Sequence, residues 1–236
     1  MDKKLNLAHI QSRISTAAAK SNRPVTDITL VAVSKTFPVE DVVTFSNMGL
    51  MDFGENKVQE LVEKSTSFRH VLPERPIRWH AIGHLQRNKV KDVLETISLF
   101  HALDSIRLAN TIQDKAEEKG IELPVLVQVN VSGEDSKFGI HPHELDAFMD
   151  QIQAFRRVRV RGLMTLASPA ENPEEVRPQF IQLRELSDSV KDRFVDPANP
   201  QLSMGMSSDF EVAIEEGATL VRVGSSLFGG RTYLSP

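Results

Sequence analysis

Ile28-Thr29-Leu30-Val31-Ala32-Val33-Ser34-Lys35 decides how this chain is read. Its apolar residues are nearly continuous rather than alternating. That marks a strand buried on both faces, as in a parallel sheet. An open doubly wound sheet would follow its first strand with a glycine-rich phosphate loop. Here the strand runs into Ser34-Lys35-Thr36, with no glycine. The other all-parallel solution is a closed barrel, in which the polar residue after each strand sits at the end that carries chemistry.

The same reading extends outward. Before this strand, Leu7, Ile10, Ile14 and Ala17 fall on one face of a predicted helix at 5–20. After it, short apolar runs alternate with stretches of helical period to the end of the chain. Strands are predicted at 28–34, 51–54, 79–83, 97–103, 125–131, 158–166, 201–204 and 220–223. Helices are predicted at 39–47, 57–64, 88–95, 106–119, 142–155, 172–190, 208–216 and 227–229. The start at Asn172-Pro173-Glu174-Glu175 has an Asn cap, Pro at the first position and Glu at the third. Gly217 closes the helix at 208–216. Eight strand–helix pairs without a linker predict one α/β domain over 1–236, a (β/α)8 TIM barrel with an extra N-terminal helix. The open doubly wound sheet is the alternative.

Composition narrows the function. The 236 residues contain no cysteine, which excludes a disulfide scaffold, thiolate metal sites and a cysteine nucleophile. Lys+Arg 28 against Asp+Glu 32 leaves a net charge of −4, without the basic excess of a nucleic-acid binder. No apolar run approaches the ~20 residues of a membrane helix, and no secretory h-region follows the charged start. A cytoplasmic protein is expected, with no membrane and no nucleic-acid partner. No long heptad stripe is evident, which favours a monomer. His141 and His143 flank Pro142 without a third metal ligand. Arg156, Arg157, Arg159 and Arg161 read as a rim-facing stripe.

The polar residues after the strands are the candidate site. They are Lys35; Glu55 and Asn56; His80, Gly83 and His84; Asp104; Asn130, Ser132, Ser136 and Lys137; Met164 and Thr165; Met204 through Asp209; then Arg222, Gly224, Ser225 and Ser226. Barrels often hold phosphate between the loops after strands seven and eight. Ser207 and Ser208 open one predicted helix there, and Gly224-Ser225-Ser226 opens the next. Free N–H groups at such helix starts favour an anion. The plainer alternative is that the serines are ordinary caps. Lys35 has two readings as well. It is either a rim lysine reaching solvent or a Schiff-base lysine in a partly desolvated pocket.

Several blocks carry a resemblance. They are Ala32-Val33-Ser34-Lys35-Thr36, Phe53-Gly54-Glu55-Asn56-Lys57-Val58-Gln59-Glu60 and Trp79-His80-Ala81-Ile82-Gly83-His84-Leu85-Gln86-Arg87-Asn88-Lys89. Further along come Val129-Asn130-Val131, Ser136-Lys137-Phe138-Gly139, Arg161-Gly162-Leu163-Met164, Ser203-Met204-Gly205-Met206-Ser207-Ser208-Asp209 and Val221-Arg222-Val223-Gly224. Together they resemble the pyridoxal-phosphate homeostasis protein family, a single barrel similar to the N-terminal domain of alanine racemases. The resemblance implies pyridoxal 5′-phosphate held as an internal aldimine on Lys35. It implies phosphate contacts from Ser207, Gly224 and Ser225, Arg222 facing the pyridine nitrogen, Asn56 near the ring, and His80 and Met204 lining it. It implies a role in cofactor homeostasis and amino-acid and keto-acid balance, without efficient catalysis, with cofactor-dependent apoenzymes as recipients. Lys137 and Lys89 read as surface lysines that could hold a second aldehyde loosely.

Two features bear on catalysis. Arg222 cannot accept a proton from a pyridinium, which weakens the ring as an electron sink. The racemases in question return a proton with a tyrosine from a second domain, and this chain has one tyrosine, Tyr233. An amino-acid racemase or lyase on the same cofactor, and a cofactor-free Schiff-base aldolase, are the competing readings.

Overall fold

A computed structural model describes residues 2–134 and 137–229. Eight parallel strands close on themselves in the order β1 to β8. They are β1 Thr29–Val33, β2 Asp52–Glu55, β3 Arg78–Ala81, β4 Ile97–Leu103, β5 Leu123–Gln128, β6 Val158–Met164, β7 Gln201–Ser203 and β8 Leu220–Val223. The helices are α1 Lys3–Lys20, α2 Val39–Asn47, α3 Val58–Val71, α4 Val90–Val93, α5 Ile106–Lys119, α6 Leu145–Ile152, α7 Arg177–Val190, α8 Phe210–Glu215 and α9 Ser225–Phe228. The predicted barrel is therefore the observed fold.

β1 is the seam. It pairs on one side with β2, Val33 opposite Gly54, and on the other with β8, Ala32 opposite Val223. This places the turns after the first, second and last strands side by side at one rim.

α1 helps to fix the last two helices. Asp2 caps it, accepting from the amides of Lys4 and Leu5. The Arg13 guanidinium lies 4.5 Å from the centre of the Phe210 ring and pairs with Glu211. Asn6 donates to the Leu227 carbonyl at 3.0 Å, and Arg23 to those of Ile214 and Ala218. A helix outside the barrel thus anchors the elements that follow β7 and β8.

Several boundaries differ from the expected ones. α3 continues to Val71 because Phe68 is buried, although Ser65-Thr66-Ser67 reads as a helix end. β5 stops at Gln128 because the chain leaves the barrel there, with the Asn130 amide donating to the Ile140 carbonyl at 2.9 Å. The helix expected from Ser208 starts at Phe210, since Ser207-Ser208-Asp209 forms a turn. No helix among the described residues is long and apolar enough to cross a membrane. Nor do the described residues contain a group of three potential metal ligands.

Gly162 permits the β6–β7 contact. A Cβ there would lie 1.9 Å from the Gln201 carbonyl oxygen, a backbone atom that cannot swing aside. Gly49 also has a positive φ, +96°, but open space around it. Gly162→Ala is therefore expected to cost about 3 kcal/mol or more, the upper range for overpacking. Gly49→Ala should cost about 1–2 kcal/mol, the left-handed strain alone. Urea unfolding of both variants measures the difference, and equal losses would refute the steric account.

Candidate functional site

Lys35 follows β1 in a turn that is held from behind. The Lys64 ammonium, buried under α3, donates all three of its hydrogens: to the Ser34 carbonyl at 2.6 Å, and to Glu55 Oε1 and Glu60 Oε1, each at 2.7 Å. The Ser34 hydroxyl donates to the same Glu55 oxygen at 2.7 Å. Glu60 also accepts from the Thr36 amide. Thr36 has φ +70°, a conformation that β-branched residues seldom adopt without such support. Burial pushes the Glu55 carboxyl up, and the Lys64 ammonium and Ser34 hydroxyl oppose that. The backbone on both sides of Lys35 is thus pinned to buried charges. Its own side chain is half-buried and makes no hydrogen bond or ion pair among the described residues.

Lys35 opens on a cleft of about 490 Å³ at the rim. Asn56, Ser207, Arg222, Gly224 and Ser225 line the same cleft. The Gly224 amide donates to the Ser207 hydroxyl at 3.3 Å, so the turns after β7 and β8 meet. Gly205 allows the first turn, since at φ +88° its Cβ would come within 2.6 Å of the Ala213 Cβ. Asp209 closes the turn by accepting from the Met206 amide at 2.6 Å. Burial raises the Asp209 carboxyl, against the Met206 and Ser208 hydrogen bonds and the Arg222 charge. α8 has six residues and α9 four. Helices this short supply little dipole, so an anion here meets individual N–H and hydroxyl donors.

Arg222 reaches the cleft from β8. Its guanidinium donates to the Ser203 hydroxyl at 2.5 Å and to the Thr165 carbonyl at 2.8 Å. Three of its five N–H groups have no protein acceptor among the described residues. Burial lowers this guanidinium to about 10, with the Asp209 charge acting the other way, so it remains cationic at neutral pH.

Two expected residues lie elsewhere. His80 does not line the cleft. β3 ends at Ala81, so His80 falls within the strand and bonds inside the barrel to His101 and Asp52. Met204 is fully buried and likewise does not line the cleft, whereas Met206 does. Phe37, Ile82 and Leu166 also line it. Each is an apolar residue soon after a strand, which in sequence reads as core. Lys137 is paired with Glu134 at 2.8 Å, and Lys89 lies 4.0 Å from Asp92. Ser136 and Tyr233 lie outside the described residues.

Size does not single out this cleft. One of about 480 Å³ lies beside His84, Arg87 and Arg107, and another beside Arg23, Arg184 and Gln201. Neither is lined by a lysine. Unlike those two, the cleft at Lys35 joins a primary amine to the hydroxyls of Ser207, Ser208 and Ser225 and a buried guanidinium.

Residues 5–232 match the family model described as alanine racemase, N-terminal domain. The pyridoxal phosphate homeostasis protein of Aquifex aeolicus is 44% identical over 227 residues, covering 96% of this chain and 97% of its own. The structure of PipY from Synechococcus elongatus with pyridoxal phosphate bound superposes with a TM-score of 0.77 at 32% identity, covering 93% of this chain and all of that one. An alanine racemase of Clostridium difficile shares the fold, at a TM-score of 0.71 and 15% identity, over 99% of this chain and 58% of its own. By these matches, which run almost from end to end, the chain belongs to the alanine racemase N-terminal domain family, among relatives named pyridoxal phosphate homeostasis proteins.

Proposed function

We propose that this protein binds pyridoxal 5′-phosphate reversibly through a Schiff base at Lys35 and acts in cofactor homeostasis rather than in catalysis. The observation that carries the reading is the single cleft into which Lys35, Ser207, Gly224, Ser225 and Arg222 converge. That donor set suits the cofactor. An amine answers its aldehyde, hydroxyl and amide donors answer its phosphate, and a cation faces the ring between them. Condensation of the Lys35 amine with the aldehyde forms C=N and releases one water. When bound, the cofactor supplies an electron-withdrawing ring.

The chain's own residues restrain that chemistry. The buried Lys64–Glu55–Glu60 cluster holds the turn that presents Lys35. Ser207 and Ser225 donate to the phosphate. Asn56 borders the ring, and its backbone is approached closely by Gly83, where a Cβ would lie 2.4 Å from the Asn56 carbonyl oxygen. Arg222 donates to the pyridine nitrogen and leaves it unprotonated. With a weak electron sink, Lys35 alone is a poor start for turnover. We place the protein as a monomer in the cytoplasm, releasing cofactor to apoenzymes.

Lys35→Ala is expected to abolish the yellow absorption band of the loaded protein and its labelling by borohydride. Retention of both would move the attachment to another lysine.

Ser207→Ala with Ser225→Ala should weaken pyridoxal 5′-phosphate far more than unphosphorylated pyridoxal, by roughly 1.5–3 kcal/mol for each lost charge-assisted bond. Equal weakening of the two ligands in a binding titration would remove both serines from the phosphate site.

The loaded protein should not racemise L- or D-amino acids at a meaningful rate, because among the described residues no second acid/base lines the cleft opposite Lys35, and such a group is typically worth ~10²–10⁴-fold. Optical rotation and deuterium exchange over an amino-acid panel provide the measurement. Exchange without racemisation fits a single working base. Repeated racemisation near ~1 s⁻¹, the low end of ordinary enzymes, would make the protein an enzyme.

A further inference from the structure

The barrel interior contains a file of polar groups that the binding reading does not use. From the rim downward these are Arg222, Ser203, His101, His80 and Asp52, all buried. Arg222 Nη1 lies 2.5 Å from the Ser203 hydroxyl. That hydroxyl is 2.8 Å from His101 Nδ1, and His101 Nε2 is 2.8 Å from His80 Nδ1. His80 Nε2 is 3.0 Å from Asp52 Oδ1. Asp52 also accepts from Arg78 Nε and Nη2, at 2.6 and 2.5 Å. The Arg78 side chain is 56% exposed, so the file ends in solvent on the face opposite the cleft.

The direction of each bond can be worked out from both ends. A guanidinium only donates, so the Ser203 oxygen accepts from Arg222. A carboxylate only accepts, and Asp52 is ionised. Burial opposes that ionisation, but the His80 and Arg78 contacts outweigh it and hold the carboxyl below its ordinary value. His80 therefore donates through Nε2. Burial, with the Arg222 charge nearby, holds His101 well below its ordinary range, so that ring is neutral and carries one hydrogen. Two arrangements remain. With His80 neutral, His101 donates through Nε2 to His80 Nδ1, and Ser203 donates to His101 Nδ1. Every side-chain polar hydrogen of Ser203, His101 and His80 then has an acceptor. With His80 cationic, His101 must accept at Nε2 and donate at Nδ1 to Ser203. The Ser203 hydroxyl hydrogen is then buried with no acceptor among the described residues, which costs the full desolvation of that donor. The neutral arrangement is the satisfied one.

We propose that Ser203, His101, His80 and Asp52 form a one-way hydrogen-bond relay that positions and polarises Arg222, coupling the Asp52–Arg78 pair on the far face to the ring end of the cofactor site. The coupling rests on the reading that Arg222 meets the cofactor ring; the bond directions do not. Within such a chain each donor strengthens the next acceptor. Ser203 and His101 are positioning residues, because neither touches the cleft.

The first test uses the wild-type protein without cofactor. Nitrogen-15 NMR with ring-labelled histidine should show His101 and His80 both neutral and protonated at Nε2. A hydrogen on His101 Nδ1, or a cationic His80 at neutral pH, would overturn the relay. This spectrum decides the matter even where a variant fails to fold. The second test titrates pyridoxal 5′-phosphate and pyridoxal. Ser203→Ala should weaken both by the same factor, about tenfold, for one lost bond to a charged donor. That equal loss marks the ring end and differs from the phosphate-selective loss of the Ser207 and Ser225 changes. Asp52→Asn should shift the His101 nitrogen signals and weaken both ligands severalfold. Unchanged binding in Ser203→Ala and Asp52→Asn would end the coupling claim. Arg222→Gln separates the two ideas. If it leaves both ligands unaffected, the ring-facing role of Arg222 has failed, while the histidine spectrum still judges the relay.

Discussion

Closure of the sheet at β1 is the constraint on which the site depends. Lys35 follows β1, Asn56 follows β2, and Arg222 and Gly224 belong to β8 and its turn. They meet because β1 hydrogen-bonds both neighbours. The Ser34 amide donates to the Gly54 carbonyl, and the Thr29 amide to that of Thr219. The fit at the seam is close, since a Cβ on Gly224 would lie 3.3 Å from the Val33 carbonyl oxygen. A slip of one residue at this seam would turn every side chain of β1 to the other face and separate the amine from the turns after β7 and β8.

Two clusters of charges have different purposes. Lys64, Glu55 and Glu60 lie behind the β1 turn and fix a backbone. The file from Arg222 to Asp52 runs through the middle and fixes a guanidinium. Both depend on near-complete pairing, because an unpaired buried charge is costly. Glu55 Oε2 is an exception, buried without a partner. The ion pairs joining Arg177 to Glu174, Glu215 and Glu216 on the outer helices are partly solvated. Pairs of that kind contribute little individually.

Much of the architecture was legible in the sequence. Periodicity alone located β4, β8, α2 and α5, because each is either buried on both faces or strongly amphipathic. The placement of Lys35, Ser207, Arg222, Gly224 and Ser225 at one rim followed from counting strands. His80 shows where counting fails. Trp79-His80-Ala81-Ile82-Gly83 is apolar on both sides of the histidine, and nothing local says that β3 ends at Ala81 rather than two residues later. That difference moves His80 from the mouth to the interior. Met204 follows β7 yet is fully buried, which its place at a strand end does not reveal. Asp52 and His101 attracted no notice, and Ser203 was given no role, because a polar residue in a strand carries no mark of its partner. His101 and Ser203 are 102 positions apart, and only the closed barrel joins them.

The seam also has a consequence for timing. The ribosome delivers β1 first and β8 last, and a parallel pairing between chain ends is slow to form because the intervening loop must close first. A nascent chain that ends before residue 224 already displays Lys35 but has neither Gly224 nor Ser225. On the proposed reading, a cofactor aldehyde reaching that lysine would meet an amine without its phosphate donors, and the adduct would hydrolyse. If Lys35 and those donors hold the cofactor as proposed, retention begins only once residues 224 and 225 have joined the rim.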